Sequence, residues 1–207
     1  MLDSTHEASL RLHVVRHAAT SLSDGTFLGR IRDPSVADIH NIRPLTGSWD
    51  FVHSSPLRRA VDTARALAPG LPVCVDERLT EIDYGQAEGL TATDVRGRFP
   101  ELADAWDKGE DPPFPQGEGT AEVRRRLHAY LDALPPGPGT GLVVTHNVVI
   151  RVLVADVLGW PSERAYRLPI AHLEPLTVCR IGDRWLPDWS PDLRASLIDG
   201  FVRWNAN

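Results

Sequence analysis

Leu10-Arg11-Leu12-His13-Val14-Val15-Arg16-His17-Ala18-Ala19-Thr20 decides the reading of this chain. Its first six residues are rich in branched apolar side chains, which suit a pleated strand. A strand over residues 10–15 delivers Arg16 and His17 into a turn at its C-terminal end, where open α/β sheets bind ligands. Arginine can hold an anion through a forked pair of hydrogen bonds. Histidine can attack an electrophile or carry a proton near neutral pH. Taken alone, the same pair also fits a solvated strand end.

Working outward, strands and helices alternate. Residues 49–53 read as a short strand feeding Ser54-Ser55-Pro56. A helix over 57–67 places Ala60, Val61, Ala64, Leu67 and Ala68 on one face and ends at Pro69-Gly70. Residues 71–75 form a third strand, and 91–108 are helical with a break at Pro100. Residues 120–134 are amphipathic, with Val123, Leu127, Leu131 and Leu134 in register. The stretch 141–145 is apolar on both faces, as in a buried parallel strand, and a helix over 147–158 closed by Gly159 follows. Residues 174–181 and 184–187 read as edge strands, and 21–48 and 111–117 as loops. The alternation predicts an α/β protein, a three-layer α/β/α sandwich with a mostly parallel central sheet, in one domain over 1–207.

Three more fragments supply chemistry: Ser54-Ser55-Pro56-Leu57-Arg58-Arg59-Ala60-Val61-Asp62-Thr63-Ala64, Leu79-Thr80-Glu81-Ile82-Asp83-Tyr84-Gly85-Gln86-Ala87-Glu88-Gly89-Leu90 and Val143-Val144-Thr145-His146. With Val15-Arg16-His17, and in this order, they resemble the histidine phosphatase superfamily, also called the phosphoglycerate mutase-like fold. The segments 83–90 and 145–151 look most like its bacterial broad-specificity and α-ribazole phosphatase branch.

The resemblance implies a phosphomonoesterase acting on a small phosphorylated metabolite. Transfer of a phosphoryl dianion needs charge neutralisation, a nucleophile and a proton for the leaving group. His17 would be the nucleophile and form a phosphohistidine. Arg16 and Arg58 would clamp the phosphate, with Arg59 a solvated companion, and His146 would donate to its oxygens. The helix that follows His146 would add N-terminal backbone donors. Glu81 would be the general acid, preferred over Asp83 because the family places the acid before a Tyr-Gly pair. Thr20 and Ser23 would be lesser phosphate donors. Glu88-Gly89 would be a structural turn, and the 117–120 stretch would cap the next helix with a hydroxyl or carboxylate. No metal and no cofactor is implied.

This chain departs from the family's usual pattern at Ala18, Ala19, Ser23 and Asn147. Ala18 puts a methyl beside the phosphate pocket, and Asn147 an amide that can N-cap the following helix. None of these removes a catalytic group. A phosphoglycerate mutase, or a degenerate member that only binds phosphorylated ligands, are the competing readings. Leaving-group choice would lie with cap segments at about 21–46 and 86–120, where Trp106 and Phe114 either wall a ligand or belong to the core.

Composition is ordinary for a globular protein, with 42% hydrophobic and 24% charged residues. A net charge of -6 argues against binding nucleic acid by phosphate neutralisation. The first residues carry no leader signature and no apolar run is long enough to span a bilayer, so the expected location is the cytoplasm and no membrane partner is expected. Two cysteines are too few for a disulfide framework. A homodimer is left open.

Overall fold

The computed structural model describes residues 10–161, 168–193 and 195. The N-terminal residues read above for a leader lie outside the described residues. Six strands form one sheet: β1 (Leu10–Arg16), β2 (Phe51–Ser54), β3 (Val73–Val75), β4 (Gly139–Thr145), β5 (Pro175–Ile181) and β6 (Arg184–Pro187). Their order is β3-β2-β4-β1-β5-β6. The first four are mutually parallel, and β5 and β6 are antiparallel additions. The mostly parallel α/β sheet expected from the alternation is therefore present. Of the two strands expected at the edge, only β6 is there. β5 lies inside the sheet, paired with β1.

Two apolar layers sandwich the sheet. On one face α1 (Arg58–Leu67) packs through Ala60, Ala64 and Leu67 against Val15, Val52, Leu142 and Val144. On the other face α4 (Thr120–Asp132) and α5 (Asn147–Leu158) bury Val123, Leu127, Val149 and Leu153 with Leu10, Leu12 and Val143. Alternate residues of β4, Leu142 and Val144 against Val143, thus feed opposite cores, as a two-residue pleat requires. Gly159 closes α5 in the left-handed conformation (φ +66°), where a side chain would be strained.

Register positions the site. β1 and β4 run parallel with Arg16 opposite Thr145, so His17 and His146 leave neighbouring strands at the same level. The His17 N–H still bonds the Thr145 carbonyl at 3.0 Å. Ser54 of β2 lies opposite Val144, and the Ser55 N–H bonds its carbonyl, which sets Ser55 beside His146. Helices leave to opposite faces from these strand ends, the arrangement that opens a crevice there.

The broken helix expected over 91–108 is two helices, α2 (Ala92–Arg98) and α3 (Pro100–Asp107). Thr91 caps α2 with a capping box to Asp94, and Pro100 starts α3 where its missing N–H costs nothing. The segments 21–46 and 86–120 meet each other. Phe27 and Leu90 bond through their backbones, and the carboxylate of Glu88 accepts the Ile31 and Arg32 N–H groups. Phe27, Tyr84, Trp106 and Phe114 pack ring against ring, so Trp106 and Phe114 belong to the core.

Candidate active site

His17 is buried, 4% exposed. Its Nδ1 lies 2.7 Å from the Ala18 carbonyl, which only accepts, so Nδ1 carries the proton. Its Nε2 receives the Nε–H of Arg59 at 3.2 Å and therefore presents a lone pair. Burial, reinforced by the Arg59 guanidinium, holds the imidazole well below its ordinary pKa. The ring is thus neutral, with Nε2 as its nucleophilic atom.

Arg58, expected as the second phosphate clamp, is not at the site. Its side chain is 67% exposed and pairs with Asp62 one turn on. Arg59, expected to be solvated, is fully buried there instead. The reason is helical phase. α1 starts at Arg58 and buries Arg59, Ala60, Thr63, Ala64 and Leu67, so Arg59 sits one turn before Thr63 on the inner face. Three of its other four donors go to the Gly29 carbonyl (2.7 Å), the Arg32 carbonyl (3.1 Å) and Asp33 (3.3 Å). Gly29 is required in this cradle, because a Cβ would come within 2.6 Å of the Glu88 carboxylate and 2.8 Å of the Ile82 carbonyl.

His146 is wholly buried, its ring centroid 5.0 Å from that of His17. Its Nε2 meets the Ser55 hydroxyl at 2.7 Å. The same hydroxyl oxygen accepts the Leu57 N–H at 3.3 Å. Among the described residues, the buried His146 Nδ1 has no partner, nor do Arg16 Nε and Asn147 Oδ1. Burial and then Arg59 hold His146 well below the usual imidazole pKa. Arg16 spends one donor on the Ile170 carbonyl at 2.8 Å.

Glu81 is buried, 3% exposed, and reaches the N-terminus of α5. Its carboxylate accepts the Val148 N–H at 3.2 Å and the Ile82 N–H at 3.1 Å. Burial raises its pKa, against the pull of the Ile82 N–H, Arg59 and Arg16. One α5 backbone donor expected to face an anion is therefore taken by Glu81. Asp83 turns elsewhere, closing on the Gly85 N–H at 2.8 Å and facing Arg30.

Thr20 and Ser23 bond each other. Their hydroxyls are 3.3 Å apart, and Ser23 Oγ takes the Thr20 N–H, bracing the turn after the Arg-His pair. Two capping expectations are corrected. His146 is the N-cap of α5 and Asn147 its first residue, because the strand ends only at Thr145. At α4, Glu122 reaches back to the Gly119 N–H at 3.0 Å, while Glu118 is held by Arg30, Arg126 and the Asp83 N–H. Sequence reading missed Ser55, Thr63 and His172. Thr63 accepts the Ala18 N–H, and His172 donates to the His17 carbonyl. Thr63 was legible from its four-residue spacing after Arg59, whereas His172 lies in a loop without pattern.

Fold and site define an α/β sandwich that presents two buried imidazoles and two arginines at the carboxyl ends of parallel strands. The chain belongs to the histidine phosphatase superfamily (branch 1), whose family model matches residues 42–186. It is 35% identical over 178 residues to a bifunctional protein of Mycobacterium tuberculosis, covering 79% of this chain. It spans 48% of that relative's length. In structure it resembles the α-ribazole phosphatase of Shigella flexneri, with a TM-score of 0.71 at 24% identity over 86% of this chain and 94% of the other. It also resembles a mycobacterial glucosyl-3-phosphoglycerate phosphatase, with a TM-score of 0.67 at 25% identity over 87% and 97%. Among the described residues, no helix is long and apolar enough to cross a membrane.

Proposed function

We propose that this chain is a phosphomonoesterase that hydrolyses a small phosphorylated metabolite through a phosphohistidine on His17. The observation that carries this reading is the locked imidazole: Nδ1–H on the Ala18 carbonyl, the Nε2 lone pair turned to Arg59. A phosphoryl group entering between them would meet a nucleophile on one side and a guanidinium on the other. Arg16 Nε, and His146 Nδ1 in the tautomer that carries its proton there, are further donors that its oxygens would satisfy.

In the first step a bond forms from His17 Nε2 to phosphorus as the phosphorus–oxygen bond of the ester breaks. Glu81, whose carboxyl burial pushes toward the protonated form, gives its proton to the departing alkoxide. In the second step Glu81, now ionised, takes a proton from water, whose oxygen attacks phosphorus as the Nε2 bond breaks. The products are the alcohol and inorganic phosphate, and the enzyme is restored. The likeness to a mycobacterial glucosyl-3-phosphoglycerate phosphatase supports the reaction class. Choice of leaving group is assigned to the segments 21–46 and 86–120, which meet beside the cradle of Arg59.

Phosphate release from p-nitrophenyl phosphate and a panel of sugar, glycerol and amino-acid phosphates tests the reading. Turnover abolished in His17→Ala supports it. Phosphoryl transfer between positions of 3-phosphoglycerate without phosphate release indicates a mutase instead, and binding without turnover indicates a non-catalytic receptor.

A further inference from the structure

The peptide between His17 and Ala18 is gripped from both sides. The Ala18 N–H donates to Thr63 Oγ1 at 3.0 Å, and the Thr63 hydroxyl donates to the Arg59 carbonyl at 2.6 Å. The His17 carbonyl faces His172 Nδ1 at 2.5 Å. A carbonyl only accepts, so His172 Nδ1 carries a proton. The two rings lie side by side, with centroids 5.4 Å apart and planes at 60°.

The loop bearing His172 is tied to the same place by other bonds. Arg16 donates to the Ile170 carbonyl, the Leu173 N–H donates to the Arg16 carbonyl at 3.0 Å, and Arg151 donates to the Leu168 carbonyl at 2.9 Å. Leu173 takes a left-handed conformation, φ +65°. A residue with a side chain is strained in this conformation, which persists only where the surroundings over-determine it. The strain falls on the residue directly after the imidazole.

We propose that His172 is a positioning residue for the nucleophile: with Thr63 it fixes the 17–18 peptide, and so the backbone that carries the His17 ring and the Ala18 Cα, from which the next carbonyl, that of Ala18, holds His17 in its Nδ1–H form. The Arg59 contact holds the Nε2 lone pair, and the Ala18 carbonyl, one peptide beyond the gripped one, holds the proton on Nδ1. His172 acts through this main-chain bond and touches no reacting atom. Its effect on turnover rests on the phosphatase reading. Its effect on the His17 ring does not.

The test compares His172→Asn, His172→Gln and His172→Leu with the wild type. Asparagine keeps an N–H donor at the δ position, glutamine moves it one atom further out, and leucine removes it. Two readouts are taken. Long-range ¹H–¹⁵N spectra of the ligand-free proteins report the His17 tautomer, and steady-state kinetics with p-nitrophenyl phosphate separate kcat from KM. Wild type and His172→Asn should show a single Nδ1–H tautomer of His17 and kcat values within about threefold. His172→Leu and His172→Gln should show tautomer averaging and kcat lowered about 10- to 100-fold with KM nearly unchanged. An unchanged His17 spectrum in His172→Leu overturns the proposal. So does a defect in His172→Asn equal to that in His172→Gln, a comparison that decides the matter if His172→Leu does not fold. Spectra as expected in a wild type without turnover would support the positioning role and refute the phosphatase reading.

Discussion

Arg59 Nε donates to His17 Nε2 across 3.2 Å, so the atom assigned as nucleophile and the guanidinium assigned to the phosphate already face one another. Arg59→Ala should lower kcat/KM by about 10²–10³-fold, the usual loss of one donor aimed at developing charge. Arg58→Ala removes only an exposed pair with Asp62 and should change it by less than about fivefold. Initial rates with p-nitrophenyl phosphate, alongside thermal melts, check both. A larger loss from Arg58→Ala would reverse the assignment.

Glu81 should separate substrates by leaving group. An alkoxide needs a proton and p-nitrophenolate does not, so Glu81→Gln should slow glycerol or sugar phosphates by about 10²–10⁴-fold and p-nitrophenyl phosphate much less. The pH profile follows from the shifts. The depressed pKa of His17 keeps it neutral into mildly acid solution, which moves the acid limb below the ordinary imidazole range. The raised pKa of Glu81 keeps its proton above the ordinary carboxyl range, and rate falls as pH rises through it. Glu81→Gln should flatten that alkaline limb. Asp83→Asn, which touches Gly85 and Arg30, should show no dependence on leaving group.

Asp33 serves two structures at once. Its carboxylate accepts the Arg58 N–H at the start of α1 (2.6 Å) and holds Arg59 Nη1 (3.3 Å). Asp33→Ala should cost about 0.5–2 kcal/mol as a lost cap, with a melting point lowered by about 2–4 °C per kcal/mol. It should also lower kcat by up to about 10²-fold by freeing the guanidinium. Melting and kinetics both unchanged would show that neither contact matters.

Charge neutralisation is assigned to Arg16 and Arg59, with the neutral His146 beside them. Activity should therefore survive exhaustive dialysis against a chelator. Loss restored by magnesium or zinc would replace this mechanism with a metal-assisted one.

Much of this was legible from residues alone. β1, β4 and α5 announce themselves by apolar runs that end in Arg16-His17 and Thr145-His146, because a buried parallel strand leaves little choice of residue. The apolar spacing of α1 turns Ala60, Ala64, Leu67 and Ala68 inward, and all four are buried, but the buried arc widens toward Arg59 and Thr63 and leaves Val61 half-buried. The choice of Arg58 rests on the resemblance, and the polar side of that arc carries Arg59 instead. The four-residue spacing of Arg59, Thr63 and Leu67 carries the right phase. Bonds made at long sequence separation leave no local pattern, and His172 on the His17 carbonyl and Asp33 on Arg59 are of that kind. The pairing of Thr20 with Ser23 is equally invisible, since hydroxyls at that spacing suit a ligand and a turn alike.

The phosphoenzyme itself is the most direct test of the central claim. Wild-type protein mixed with ³²P-labelled substrate is quenched rapidly in alkali, digested, and its labelled peptide sequenced. The account predicts one acid-labile, alkali-stable phosphoryl group on His17, attached at Nε2, formed and lost at rates compatible with turnover and absent from His17→Ala. Label on another residue, or full activity in His17→Ala, would contradict it.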